Sequence, residues 1–300
     1  MKRNYECVII GSGVAGMTSA IYLKRMNIDV LIIEKATPGG QIVKTAVIEN
    51  YPGFTSISGS SLASQMYEQV TNLKIPYLYE DVITIKDNGK TKTIITNQNE
   101  ITCKSIIIAS GRSPKKLNLK NEEELIGHGI SYCAICDGML YKDQEVAIVG
   151  SGNSAFEECL YLAKICSKVT ILNRSSHIKA DSILKEKVKQ LKNVEIKYNT
   201  EIKELKMENN KLHYLILNNN ETLQVRGLFI FIGLIPELQF LQNTNIKLDN
   251  NYIVVDNKMQ TNIKNIYACG DVIKKDVYQI ATAIGEAATA AINVTRNINK

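Results

Sequence analysis

Tyr5-Glu6-Cys7-Val8-Ile9-Ile10-Gly11-Ser12-Gly13-Val14-Ala15-Gly16-Met17 opens the chain with a short apolar run, a glycine-rich turn and the start of a helix whose periodicity continues to Met26. A second apolar run, Asp29-Val30-Leu31-Ile32-Ile33, stops at Glu34. Strand, G-x-G-x-x-G, helix, strand and terminal acid in this order form a dinucleotide-binding βαβ unit. The glycines allow a tight turn, bring the backbone up to a pyrophosphate and let the helix close on the strand. The helix N-terminus then offers unpaired N–H groups and the positive end of its dipole to the phosphates. Candidate contacts are Gly11, Ser12, Gly13, Ala15 and Gly16, with Glu34 accepting from a ribose 2′-hydroxyl, a choice that favours an adenosine without a 2′-phosphate.

The pattern recurs. Glu145-Val146-Ala147-Ile148-Val149 reads as a strand, Gly150-Ser151-Gly152-Asn153-Ser154-Ala155 as G-x-G-x-x-A, Phe156 to Cys166 as a helix, and Lys168-Val169-Thr170-Ile171-Leu172 as the next strand. Gly150, Gly152, Asn153 and Ser154 are its phosphate-loop candidates. Here the strand ends in Asn173-Arg174 instead of an acid, and Lys179 follows shortly. A cation at this place accommodates a 2′-phosphate, so Arg174 and Lys179 point to NADPH as the second nucleotide, the bland alternative being two solvated charges. Two such units in one chain suggest two dinucleotides, most simply a flavin and a nicotinamide.

Three further strands set the assembly. Ser105 to Gly111 is a buried run ending in small residues, Gly227 to Gly233 resembles it inside the second unit, and Ile266 to Asp271 ends in Gly-Asp ahead of an alanine-rich helix, Ile280 to Val294. The expected architecture is therefore α/β, with two Rossmann-like, three-layer nucleotide-binding domains. The first (1–116 and 245–300) is discontinuous and the second (117–244) is inserted, with crossings near Pro114 to Lys120 and Leu241 to Ile246. Two consecutive domains would leave Gly270-Asp271 without a cofactor to meet.

At about 150 residues per domain, a 300-residue chain has room for two such cores. A hydrophobic fraction of 45% with 22% charged residues is that of a folded globular protein. The net charge of +6 is spread through interleaved stretches such as Lys185-Glu186-Lys187, which read as solvated faces and argue against a nucleic-acid surface. No apolar run reaches membrane-spanning length, and Met1-Lys2-Arg3 leads into a strand, not a signal peptide, so a cytoplasmic protein is expected. Of 7 cysteines, Cys7, Cys103, Cys159, Cys166 and Cys269 are scattered in apolar contexts, which speaks against a secreted disulfide framework.

Ser131-Tyr132-Cys133-Ala134-Ile135-Cys136-Asp137-Gly138 holds the one C-x-x-C. Thiols at this spacing can share one face of a helical turn and close into a disulfide, and a helix N-terminus lowers a thiol pKa to roughly 3.5–7.5, which makes a redox couple. Two inert buried thiols are an alternative. Zinc is another, but it needs two more ligands and finds only His128 nearby, so no metal is expected. Asp137 is either an ordinary helix-turn carboxylate or the acid that protonates a departing thiolate.

With Gly39-Gly40-Gln41, Glu49-Asn50-Tyr51-Pro52-Gly53 and Ala268-Cys269-Gly270-Asp271-Val272, these motifs stand in the order and spacing of the low-molecular-weight bacterial thioredoxin reductases, which the chain resembles from about residue 5 to 293. The resemblance implies a homodimeric FAD enzyme that moves electrons from a nicotinamide to FAD, to Cys133-Cys136, and on to thioredoxin. It implies FAD contacts at Glu34, Lys35, Gly40, Gln41, Asn50, Val82, Ala109, Gly111, Gly270, Asp271, Gln279 and Ile280, and a nucleotide contact at Gly233. It makes Cys133 the nucleophile toward thioredoxin and Cys136 the cysteine nearer the flavin. The sequence departs from the family pattern in two places: His-Arg-Arg and a following Arg are here Asn173-Arg174-Ser175 and Lys179, and the Arg common before Gln279 is Tyr278. Alternatives within enzymes are a flavin reductase serving another redoxin or a peroxiredoxin and one drawing on NADH or ferredoxin; a different class altogether is a flavin-binding sensor that never turns over.

Overall fold

The structure, a computed structural model, describes residues 3–45 and 47–298. The described residues form two compact units, one drawn from the stretches up to 113 and from 235 onward, the other from 114–234.

In the first unit the strands Asn4–Ile10, Val30–Ile33 and Tyr77–Leu78 lie parallel, and Glu100–Ile108 flanks Asn4–Ile10 on its other side. The far edge of Glu100–Ile108 is shared. Its first half pairs antiparallel with Thr91–Thr96, which hairpins onto Val82–Asn88, and its second half pairs parallel with Ile266–Ala268. Both faces of the sheet are buried, as a near-continuous apolar run requires. Cys7, Ile9, Val30, Ile32 and Ile107 point to a helical layer made by Val14–Arg25 and Ile280–Ile298. Val8, Ile10, Leu31, Ile33, Ile106 and Ile108 point the other way, under the hairpin and residues 238–273. Ala283, Ala287, Ala290 and Ala291 carry so little bulk that the C-terminal helix closes on the first, where Ser19 Oγ reaches the Ala287 carbonyl at 3.4 Å.

The second unit repeats the plan. Val194–Tyr198, Lys168–Asn173, Glu145–Val149, Gly227–Ile230 and Ile130–Ser131 form an all-parallel sheet in that order. One face packs on the helices Asn153–Leu162 and Ser182–Lys189 through Phe156, Cys159, Leu162 and Val188. The other packs on a three-stranded antiparallel sheet through Leu205, Leu212, Leu215 and Leu217.

Several boundaries differ from the sequence reading. Residues 235–244 lie in the first unit, because Phe240 and Leu241 are buried in its core beside Ile85 and Ile94. Residues 114–116 lie in the second, where Lys115 N–H donates to the Gly233 carbonyl at 2.9 Å. The helix expected to reach Cys166 ends at Leu162, after which Ile165 and Cys166 turn back to bond the Leu162 carbonyl. The strand expected over Ser105–Gly111 is Glu100–Ile108, so Ala109, Ser110 and Gly111 form the loop beyond it.

Candidate active site

In the first unit the glycine loop joins the end of the strand Asn4–Ile10 to the helix Val14–Arg25. Gly11 has φ +102°, and a Cβ there would stand 2.5 Å from the Ala109 carbonyl oxygen; at Gly16 it would stand 1.9 Å from the Gly11 oxygen. These two positions admit only glycine, since the helix is seated directly on the turn. Gly13 differs, because its Cβ would meet only the Gly40 Cα, at an ordinary 3.9 Å. Glu34 accepts the Ser12 N–H at 2.6 Å and the Ala36 N–H at 2.9 Å, while Ser12 Oγ pairs with Tyr77 OH at 2.9 Å. Gly39 N–H donates to the Ser12 carbonyl at 2.8 Å and sets Gly40 beside Gly13. Gly270 closes the opposite side, its absent Cβ 2.8 Å from Ala15 Cβ.

The remaining first-unit candidates fall into groups. Asn50 Nδ2 donates to Gln279 Oε1 at 3.1 Å, and Gln41 Nε2 donates to the Arg112 carbonyl at 2.8 Å. Arg112 Nη2 in turn donates to Asp271 Oδ2 at 2.7 Å. Glu286 accepts the Gly270 N–H and pairs with Lys275, and burial lifts its carboxyl above the ordinary acid range against the pull of that lysine. Three candidates stand apart. Lys35 is tied to Glu237, Val82 packs against the sheet core, and Ile280 packs with Val14 and Ile42. Arg112 is absent from the sequence reading because nothing in a Ser-Gly-Arg-Ser string marks the arginine; only the fold brings it to Asp271.

Cys133 and Cys136 are joined as a disulfide, so neither sulfur is free for a metal. Cys133 is the N-cap of the short helix Ala134–Asp137, and its Sγ accepts the Cys136 N–H at 3.2 Å. Cys133 is buried and Cys136 exposed. Ser131, unmarked in the sequence, is the buried pivot: its Oγ donates to Asp137 Oδ2 at 2.6 Å and accepts the Cys133 N–H at 3.0 Å. Asp137 is thereby linked to the backbone of the first cysteine. The other five cysteines are buried and unpaired, and desolvation lifts Cys7, and lifts Cys103, Cys159 and Cys269 to about 12 and Cys166 to about 11.

In the second unit Gly150 has φ +151° with its absent Cβ 2.4 Å from the Phe231 oxygen, whereas a Cβ at Gly152 would meet nothing within 4 Å. The loop is thus packed tightly against the Phe231 backbone at Gly150 and clear of protein atoms at Gly152. Asn153 and Asp181 bond reciprocally, Nδ2 to Oδ2 and Asp181 N–H to Oδ1, both at 2.8 Å. Lys179 and Ala180 N–H groups both donate to the Ser151 carbonyl at 2.8 Å, so Lys179 stands beside the glycine loop. Buried Asn173 organises the strand end: Nδ2 donates to the His177 carbonyl at 3.1 Å and Oδ1 accepts from Ser175 at 3.4 Å. Arg174 and Lys179 are exposed on this loop, as is Ser154 on the helix.

The profile of the pyridine nucleotide-disulphide oxidoreductases matches residues 5–287. The chain belongs to that family, in its thioredoxin reductase branch. It is 38% identical to the thioredoxin reductase of Listeria monocytogenes over 100% of this chain and 95% of that one. It is 42% identical to that of Ureaplasma parvum over 98% of each. The crystal structure of Lactococcus lactis thioredoxin reductase in its FR conformation superposes with a TM-score of 0.88 at 38% identity, covering 98% of this chain and 99% of that one. As a pyridine nucleotide-disulphide oxidoreductase the chain couples a flavin and a pyridine nucleotide to a dithiol. No helix among the described residues is long and apolar enough to cross a membrane.

Proposed function

We propose that this chain is an NADPH-dependent thioredoxin-disulfide reductase, with FAD in the first unit, NADPH in the second and Cys133–Cys136 as the exchanging disulfide. The observation that carries the reading is the closed Cys133–Cys136 bond with Ser131 and Asp137 around it, in the unit whose Gly150–Ala155 loop is open at Gly152. Gly11, Ser12, Gly13, Ala15, Gly16, Glu34, Gly40, Gln41, Asn50, Ala109, Gly111, Gly270, Asp271 and Gln279 would hold FAD, with Lys35, Val82 and Ile280 at its margins. Gly150, Gly152, Asn153, Ser154, Arg174, Lys179 and Gly233 would hold NADPH. When bound, the two cofactors supply the two-electron chemistry, hydride from the nicotinamide and its relay by the flavin.

The protein supplies the dithiol. The Cys133–Cys136 bond takes up two electrons and two protons to become two thiols, and the Asp137–Ser131 pair, bonded to the Cys133 backbone N–H, holds the first cysteine in place. Cys133 then loses a proton and attacks a thioredoxin disulfide sulfur, expelling one thioredoxin thiolate and forming a mixed disulfide. The Cys136 N–H directed at Cys133 Sγ favours the thiolate there. Cys136 resolves the mixed disulfide, which releases reduced thioredoxin and restores the Cys133–Cys136 bond. The five buried, unpaired cysteines suit a reducing compartment, so we place the protein in the cytoplasm, as a homodimer like the enzymes it resembles.

Cys133→Ser and Cys136→Ser should each abolish thioredoxin reduction and leave anaerobic flavin reduction by NADPH largely intact. Cys136→Ser should trap a mixed disulfide with a thioredoxin lacking its second cysteine. Trapping by Cys133→Ser alone would make exposed Cys136 the attacking sulfur. Flavin reduction by ferredoxin but not by NADPH would overturn the donor assignment, and reduction of a different redoxin or a peroxiredoxin but not thioredoxin would overturn the acceptor.

A further inference from the structure

Arg112 gathers a compact ionic cluster in the first unit. Its Nη2 donates to Asp271 Oδ2 at 2.7 Å, its guanidinium carbon stands 4.1 Å from the centre of the Tyr278 ring, and its carbonyl accepts Gln41 Nε2 at 2.8 Å. Lys275 Nζ completes the group, 3.6 Å from Asp271 Oδ1, 2.9 Å from Glu286 Oε2 and 5.4 Å from the same Tyr278 ring. The four charged side chains are 10–25% exposed, Lys275 least and Asp271 most, so their fields are only weakly screened.

The position matters as much as the contacts. Arg112 follows Gly111 beyond the strand Glu100–Ile108, and Asp271 follows the neighbouring parallel strand Ile266–Ala268. Open α/β sheets bind ligands at this carboxyl edge. With Arg112 and Lys275 against Asp271 and Glu286 the cluster is neutral. Without Arg112 it carries one net negative charge at the edge of the dinucleotide site, and such a charge opposes the arrival of electrons nearby.

We propose that Arg112 sets the reduction potential of the flavin by neutralising Asp271 at the carboxyl edge of the first sheet. The inference rests on the reading above that FAD occupies this unit. Arginine suits the task because its planar fork bonds the carboxylate while its face lies on the Tyr278 ring, a pairing that lysine's point charge does not reproduce.

The test is an anaerobic reductive titration of the flavin-loaded protein against a dye of known potential. In Arg112→Gln the equilibrium constant for flavin reduction should fall about tenfold, which for a two-electron couple is about 30 mV downward. Arg112→Lys keeps the charge and should keep most of the wild-type potential. Lys275→Gln removes the second cation and should move the potential the same way, which keeps the test open should Arg112→Gln not fold. A purely structural role would weaken FAD binding in both redox states alike and leave the potential in place. An unmoved potential in Arg112→Gln, or an equal shift in Arg112→Lys, overturns the proposal. Wild-type protein that neither carries nor takes up FAD overturns the functional reading instead, before any variant is compared.

Discussion

Glu34 and Asn173 occupy equivalent ends of the second strand in their units, and each is spent first on its own backbone. Glu34 takes the Ser12 and Ala36 N–H groups; Asn173 ties Ser175 to the His177 carbonyl. The acid leaves a negative charge where a ribose hydroxyl is wanted, whereas the amide leaves none, and the exposed Arg174 beside it is free of any ion pair among the described residues. A charge-assisted contact to a 2′-phosphate is worth roughly 1.5–3 kcal/mol, or one to two decades of discrimination. Arg174→Ala should therefore lower kcat/KM for NADPH at least tenfold while changing that for NADH less than threefold. Steady-state kinetics with both donors decide it, and equal losses would show that Arg174 does not read the phosphate. Arg174 and Lys179 could be picked out in the sequence because a missing acid is visible in a string. Asn173, Ser131 and Arg112 could not, since their importance lies in hydrogen bonds that only the folded loops create.

At the scale of elements, the glycine loops were the most legible feature, because G-x-G-x-x-G between an apolar run and a helix constrains backbone directly. The ends of elements were least legible: the strand over Glu100–Ile108 starts before its purely apolar stretch, where Thr102 and Lys104 alternate outward, and the C-terminal helix runs to Ile298, past the expected Val294. Within the loops, position by position, the space around each glycine separates packing from binding. Gly16→Ala drives a methyl into the Gly11 carbonyl and should cost roughly 1–3 kcal/mol, read as a lower midpoint in denaturant followed by flavin fluorescence. Gly152→Ala places its methyl where no protein atom lies within 4 Å, so the midpoint should stay within error while KM for the nicotinamide nucleotide rises severalfold. A stability loss in Gly152→Ala matching that of Gly16→Ala would remove the distinction between the two sites.

Across the whole molecule, five buried cysteines must be kept from interfering with a chemistry that uses the other two. Discontinuity of the first unit was readable because Gly270-Asp271 needed a partner sheet, yet the placing of residues 235–244 depended on Phe240 and Leu241 entering the first core, a tertiary choice that composition does not encode. The same burial decides thiol reactivity. Thiolate, not thiol, reacts, and thiols raised to about 11 or 12 are ionised to roughly one part in a thousand or less at pH 8. Cys7, fully buried and raised as well, belongs with them. Native protein reduced with a phosphine and alkylated at pH 8 should thus gain two adducts, at Cys133 and Cys136, before any other, while protein unfolded in guanidinium should gain all 7. Unreduced native protein should gain none on the same timescale, because the exchanging pair is closed. Mass spectrometry of peptides resolves the sites. Modification of Cys159 or Cys269 as fast as the Cys133–Cys136 pair would mean that the cores around them open readily, and that burial does not insulate the redox pair from its neighbours.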